Sequence, residues 1–220
     1  MKVYVIDLET TGLMGYPHDK ILQIGIASLD LTSGEVVKEY DQTIYYDRYM
    51  AENYKERYGA TPWIFREGHL TIEQCERGVP LWQTYGSFIP LIEGKLVTSY
   101  NTKFDIDKFL DFVPVRIRTR SKCLFDIADL ATKYIRSELY PPRKFIEIKG
   151  VTGKVARQFL ENPERRVKMF DAYRLLCPDD PARVERDGMI AQTHNAADDA
   201  IQEAYILKAV LLEGYNDRVR

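Results

Sequence analysis

Three clusters of residues along this 220-residue chain bring carboxylates together with strand ends or helix starts. The first is Asp7-Leu8-Glu9-Thr10-Thr11-Gly12, which follows the apolar run Val3 to Ile6. Residues i and i+2 of a strand share a face, so Asp7 and Glu9 set two carboxylates side by side as they leave a buried sheet. Adjacent ionised carboxylates repel, and partial burial adds a desolvation cost. A cation belongs beside them. No Lys or Arg occurs in the following seven residues, so a metal ion fits better than a basic side chain. The bare tripeptide D-x-E carries little information, because chance supplies about one in a chain this long.

The second cluster is Tyr100-Asn101-Thr102-Lys103-Phe104-Asp105, a strand running into a helix. Asp105 projects near the same sheet edge if its strand neighbours the first. Taken alone it reads better as an acid favoured by the helix dipole. The third is His194-Asn195-Ala196-Ala197-Asp198-Asp199. Of the three histidines, only His194 has an Asp five residues on; His18 and His69 show no partner in the sequence. With Asn195 as helix cap, Asp198 falls at the third helical position and can cap reciprocally, which leaves Asp199 free. Helix geometry alone does not choose between the two acids.

The elements that must position these groups follow from periodicity. Residues 2 to 7 read as a short buried strand, and residues 21 to 29 alternate through Leu22, Ile24 and Ile26 as a second. Thr32-Ser33-Gly34 turns the chain into a third run, Val36 to Tyr46, as a hairpin or meander. Residues 47 to 70 carry many tyrosines and charges without a clear period. Thr71 is a helix N-cap, Pro80 to Leu91 a helix, Lys95 to Tyr100 a strand and Phe104 to Phe112 a helix. Val115 to Thr119 alternates apolar residues with arginine, as an edge strand does. Asp126 and Asp129 resemble a capping pair before a helix over Ile127 to Ile135. Between 136 and 190 only Lys154 to Leu160 and Pro163 to Leu176 read as helical. The last helix begins at Asn195, carries the stripe Ala197, Ile201, Ala204 and Leu211, and stops at Gly214. The order predicts one mixed α/β domain over 1–214, elaborated at about 136–190, with a tail at 215–220.

Composition narrows the class. With 45% hydrophobic and 29% charged residues, 13 Gly and 10 Pro, the chain is an ordinary globular protein. Apolar runs end far short of the ~20 residues that span a bilayer. Met1-Lys2 leads directly into a strand and not into a signal peptide, so a cytoplasmic protein with no membrane partner is expected. Cys75, Cys123 and Cys177 form no C-x-x-C pair, which argues for free thiols. Thirty-one basic and 33 acidic residues, formally −2, argue against passive coating of nucleic acid. They leave room for an enzyme that meets phosphates through metal cations.

Taken in order, the three clusters closely resemble the motifs of the DEDDh 3′–5′ exonuclease family. Its members include the proofreading (epsilon) subunit of bacterial DNA polymerase, ribonuclease T and oligoribonuclease. The matching segments are DLETTG at 7–12, NTKFD at 101–105 and HNAADD at 194–199, and Asp126 with Leu130-Ala131 is similar to the family's next segment. The stretches at 47–70 and between Asp105 and His194 are longer than in a minimal member. The resemblance implies a ribonuclease H-like α/β fold, a five-stranded mixed sheet flanked by helices. It implies 3′→5′ hydrolysis of nucleic acid, DNA more than RNA and mainly single-stranded, with release of nucleoside 5′-monophosphates. Asp7, Glu9, Asp105 and Asp199 are then the metal ligands, a hard oxygen cage for two Mg²⁺ or Mn²⁺ ions about 3.5–4 Å apart. Asp7 bridges the two ions. His194, with an ordinary pKa near ~6.5, takes the proton of the attacking water. Thr10, Thr11, Asn101 and Phe104 are the implied substrate contacts.

Three other readings are open at this point: an exoribonuclease, an inactive nucleic-acid-binding relative, and an unrelated hydrolase with a D-x-D-type site. The last is disfavoured because the second acid is Glu9. The sequence does not say whether a polymerase partner exists. Arg116, Arg118, Arg120 and Lys122 would share one strand face able to follow phosphates, although a charged edge that resists aggregation explains them somewhat better. Tyr45, Tyr46, Tyr49, Tyr54 and Tyr58 suit packing under a loop more than base stacking.

Overall fold

The computed structural model describes residues 1–68, 70–136, 165–177, 185–186, 189–190 and 194–213. Five strands form one mixed sheet in the order β3-β2-β1-β4-β5. They are β1 (Lys2–Thr10), β2 (Ile21–Asp30), β3 (Val36–Thr43), β4 (Leu96–Thr98) and β5 (Lys122–Cys123). β1, β2 and β3 run antiparallel, while β4 and β5 lie parallel to β1. This is the expected fold class, with the expected three antiparallel strands. β2 is buried along nearly its whole length because both its faces are covered.

Odd and even residues of β1 go to different cores. Val3 and Val5, with Ala27 and Leu29 of β2, pack on the helices α6 (Ile127–Arg136), α7 (Met169–Leu176) and α8 (Ala196–Lys208). Ile6 and Leu8, with Ile24 and Ile26, pack on α4 (Leu81–Ile92) and on a π-helix over Lys103–Leu110. The stretch left unassigned at 47–70 forms α1 (Arg48–Tyr58) and the short α2 (Trp63–Glu67). Its tyrosines and charges lie on a solvated helix that buries only Ala51, so no apolar stripe was there to read. Thr71 caps α3 (Ile72–Glu76) in a full capping box with Gln74. Tyr46 is core, as packing requires, while Tyr49 is 72% exposed on α1.

One expected strand is absent. Val115 to Thr119 does not extend along the sheet edge: Arg116 turns left-handed at φ 45° and Ile117–Arg120 forms a single helical turn, α5. Val115 and Ile117 both reach the same core, and an apolar residue at every second position over so short a run fits a turn as well as a strand. The edge strand is Lys122–Cys123 instead. The arginines therefore share no phosphate-tracking face. Arg118 pairs with Asp107 at 2.5 Å and Arg120 with Glu93 at 3.0 Å.

Gly25 sets the height of the last helix above the sheet. It lies opposite Asp7 in the β1–β2 register, and a Cβ there would overlap the carbonyl of Ala196 at the start of α8. Only glycine lets the two backbones approach this closely. Gly25→Ala is expected to destabilise the protein by about 3 kcal/mol, the upper range for overpacking against immovable backbone. For a chain of this size that is a fall in Tm of roughly 6–12 °C, read by a thermal melt; an unchanged Tm would refute the close approach.

Cys75, Cys123 and Cys177 are not joined in disulfides among the described residues. Among the described residues no helix is long and apolar enough to cross a membrane. The helix expected over Lys154–Leu160, the stop at Gly214, His69 and the tail at 215–220 lie outside the described residues, as does most of the 136–190 elaboration.

Candidate active site

Asp7 and Glu9 project from the β1 face that carries Val3 and Val5, toward α8. Opposite them on β2 are Gly25 and Gln23. Gln23 is the one amide in the buried run Ile21 to Ala27, and its side-chain oxygen accepts the Ala196 N–H at 3.0 Å. That bond and the Gly25 contact seat the N-terminus of α8 directly over the acidic pair. Asn195 caps the helix as expected, accepting from the N–H groups of Ala197 and Asp198 at 3.1 Å each. The cap turns Asp198 to solvent and leaves Asp199 buried, 2% exposed. Oxygens of Glu9 and Asp199 and a ring nitrogen of His194 lie within 4.8 Å of one another.

Asp105 arrives from the other side of the sheet edge, in the first turn of the π-helix. Asp126 anchors that turn. One of its oxygens caps α6 through Ala128 N and Asp129 N, and the other accepts from Thr102 N at 2.9 Å and the Thr102 hydroxyl at 3.2 Å. A π-helical segment is uncommon and concentrates at functional sites. Its wide spacing is visible where Asp111 N bonds Ile106 O, five residues back.

The acidic cluster has a fifth member that sequence reading missed. Glu203, one turn beyond Asp199 on α8, is 2% exposed, accepts from Tyr100 N at 3.1 Å and shares a hydrogen bond with Asp7. Its only sequence signal was the i+4 spacing from Asp199, which any helix produces by chance. Trp63 was missed as well. Its ring meets the His194 imidazole edge-on at 5.0 Å, and no motif announced it. His194 itself has φ 50°, a left-handed conformation that few non-glycine residues adopt, although histidine is enriched among them, and that clusters at functional sites.

The electrostatics are one-sided. Burial first, then Glu203, Asp105, Asp199 and Glu9, push Asp7 far above the usual carboxylate range. Burial, Asp199 and Asp105 carry Glu9 up to about 8. Burial raises Asp105 to about 7 against the pull of nearby hydrogen-bond donors. Burial, Asp105 and Asp199 likewise raise Glu203. The charges that act most on Asp7 and Glu9 are carboxylates. Such a set of hard oxygens close together suits Mg²⁺ or Mn²⁺ and is costly without a cation.

A stability profile follows. Carboxyls whose folded pKa lies above the unfolded value stabilise the fold at low pH, and that contribution is lost as pH rises through the folded pKa. Without metal, Tm is expected to fall by roughly 4–8 °C, about 2 kcal/mol, between pH 5 and pH 8, from above the free carboxyl range up to the folded values of about 7 for Asp105 and about 8 for Glu9. Millimolar Mg²⁺ should flatten the profile by holding the carboxylates ionised. Scanning calorimetry with chelator and with Mg²⁺ checks this; a metal-free Tm that rises over the same window would refute it.

The four implied substrate contacts stand around this cluster with different freedom. The Thr11 hydroxyl donates to Asp19 at 3.1 Å and accepts from Lys20 N, and the Thr10 hydroxyl donates to Gly12 O. Both therefore hold the turn that follows Glu9. Asn101 is exposed, and half-buried Phe104 packs edge-on against Phe109 at 5.1 Å.

No protein-family model and no curated protein matches the sequence. Solved structures do match. The nuclease domain of 3′hExo, a DEDDh family member bound to rAMP, is similar over 97% of this chain and 92% of its own, at 16% identity and a TM-score of 0.53. Exonuclease X in complex with 5′ overhanging duplex DNA is similar over 97% and 93%, at 16% identity and a TM-score of 0.52. The chain spans 61% of the length of a full-length 3′-exonuclease it also resembles, at 15% identity and a TM-score of 0.52. The resemblance read from the three motifs thus recurs in three dimensions, and the chain has the ribonuclease H-like fold of the DEDDh 3′-exonucleases.

Proposed function

We propose that this chain is a metal-dependent 3′→5′ exonuclease that hydrolyses mainly single-stranded DNA and releases nucleoside 5′-monophosphates. The observation that carries the proposal is the meeting of Asp7, Glu9, Asp105 and Asp199 with His194, from three separate stretches of chain, in one partly buried cluster whose carboxylates raise one another's pKa. Asp7, Glu9, Asp105 and Asp199 would hold the two Mg²⁺ or Mn²⁺ ions. Bound there, divalent ions lower the pKa of a coordinated water and neutralise charge on the attacked phosphate. His194 accepts the proton of the attacking water on an imidazole nitrogen, and Trp63 and the Asn195 cap hold its ring and backbone in place. Glu203 braces Asp7 from below. The turn at Thr10 and Thr11, with Asn101 and Phe104, receives the terminal nucleotide.

The fold does not choose between polymers, since Exonuclease X was solved with duplex DNA and another similar 3′-exonuclease with a histone mRNA stem-loop. The test is a time course on 5′-labelled DNA and RNA oligomers, with Mg²⁺ and with chelator. Stepwise shortening from the 3′ end of DNA that stops with chelator supports the proposal. Faster digestion of RNA moves the substrate to RNA, and digestion undiminished by chelator overturns the metal site.

A further inference from the structure

A cleft of about 200 Å³ opens between α1 and the loop after Gly12, apart from the carboxylate cluster. His18 and Lys20 line one wall, and Asn53, Arg57 and Tyr58 of α1 line the other. No carboxylate borders it, in a chain with more acids than bases. The neighbouring Asp19 lies behind the wall, where it accepts from the Thr11 hydroxyl, Met14 N and Gly15 N and bonds the Tyr54 hydroxyl. Arg57 lies over the Tyr58 ring at 5.3 Å, and Lys20 lies over the Tyr16 ring at 5.5 Å and donates to Pro17 O at 3.1 Å. The Tyr58 hydroxyl is buried and has no hydrogen-bond partner. A native fold rarely leaves such a group unsatisfied unless something else completes it.

Two cations and an amide form a donor set for an anion with several acceptor oxygens, with the unpartnered Tyr58 hydroxyl behind them. The volume is below the roughly 300–1,000 Å³ that encloses a whole small-molecule ligand, so the anion is one group of a larger molecule. Position names that molecule. The Tyr54 hydroxyl lies against Gly12, at the end of the turn that follows Asp7 and Glu9 of β1. We propose that this cleft binds a backbone phosphate of the polynucleotide, outside the bond being hydrolysed, and so favours chains over mononucleotide esters. The proposal rests on the nuclease reading for its substrate, and α1 makes it a feature of this chain's own 47–70 segment.

The test compares wild type, the double variant Lys20→Ala/Arg57→Ala, and Tyr58→Phe. Substrates are a single-stranded DNA 12-mer and the 4-nitrophenyl ester of thymidine 5′-monophosphate, which has no second phosphate. The ratio of the KM for the 12-mer to that for the ester should rise about tenfold in the double variant, a loss in line with one charge-assisted phosphate contact. The slope of log KM against log salt should shrink by roughly 0.7 for one phosphate released. A merely structural role would not move that slope. Tyr58→Phe should raise the 12-mer KM about threefold without lowering Tm, because its hydroxyl supports nothing in the free protein.

An unchanged ratio and slope, with both substrates cleaved, overturn the cleft. Protection of the wild type by millimolar inorganic phosphate with an unchanged ratio assigns it to free phosphate and overturns the polynucleotide. Should the wild type cleave neither substrate, the nuclease reading fails separately. Fluorescence anisotropy of the labelled 12-mer then reads the cleft: tenfold weaker binding and the smaller salt slope in the double variant uphold it, and unchanged binding sinks it.

Discussion

Asp7→Ala is expected to abolish hydrolysis, by about 10⁴-fold or more (~5.5 kcal/mol of transition-state stabilisation), while the protein stays folded. The two effects have one cause. Asp7 lies at the centre of the cluster, pushed up by burial and by all four neighbouring carboxylates, so its charge is the hardest to hold without a cation. Removing it takes a ligand from the metal cage and at the same time relieves repulsion among Glu9, Asp105, Asp199 and Glu203. Asp7→Asn separates these effects from the small void that alanine leaves, because it keeps the shape and removes only the charge. Metal-free Asp7→Asn should melt at or above the wild-type temperature at pH 8 and should lose most of the stabilisation that Mg²⁺ gives. Digestion at the wild-type rate by either variant would remove Asp7 from the site.

For His194→Ala, hydrolysis should fall by about 10²–10⁴, the usual contribution of a positioned acid–base group, with Mn²⁺ affinity close to wild type. Its ring nitrogen lies near Glu9 and Asp199, so the structure allows either proton transfer or metal ligation by this residue. The cage is otherwise all oxygen, which suits Mg²⁺ without an imidazole. The wild-type rate should decline as pH drops through the imidazole titration, and the variant should lose that limb. Calorimetric titration of Mn²⁺ and a pH–rate series on both proteins distinguish the roles. Collapse of metal affinity in the variant would make His194 a ligand, and an acid limb that persists would place the base elsewhere. The φ of 50° at this position makes alanine somewhat strained, and His194→Asn, better tolerated there, is the matched second variant. Asp198→Asn is the control. Its side chain faces solvent at the start of α8, so it should cost ~1 kcal/mol of stability at most and little activity.

The sequence by itself determined the first three strands and the acids at the end of the first. Period-2 runs, the Thr71 and Asn195 caps and the i, i+2 pairing of Asp7 with Glu9 are local properties, set by backbone geometry within a few residues. Local chemistry also narrowed the choice on the last helix, since an acid at the third position is drawn to the cap and the next one is left over. Other features depended on groups far apart in the chain. Val115 to Thr119 read as a strand because its period was too short to exclude a turn, and only docking of Val115 and Ile117 into one core decided it. The structure of 47–70 was hidden because α1 is mostly solvated and carries little apolar signal. Glu203 and Trp63 join the site through helix packing and have no motif of their own. Gly25 and Gln23 carry no motif within the β2 run, and their purpose appears only when α8 lies on them. A local pattern records which way a side chain leaves its own element; which elements it meets is set by long-range packing, and there the tertiary structure alone decides.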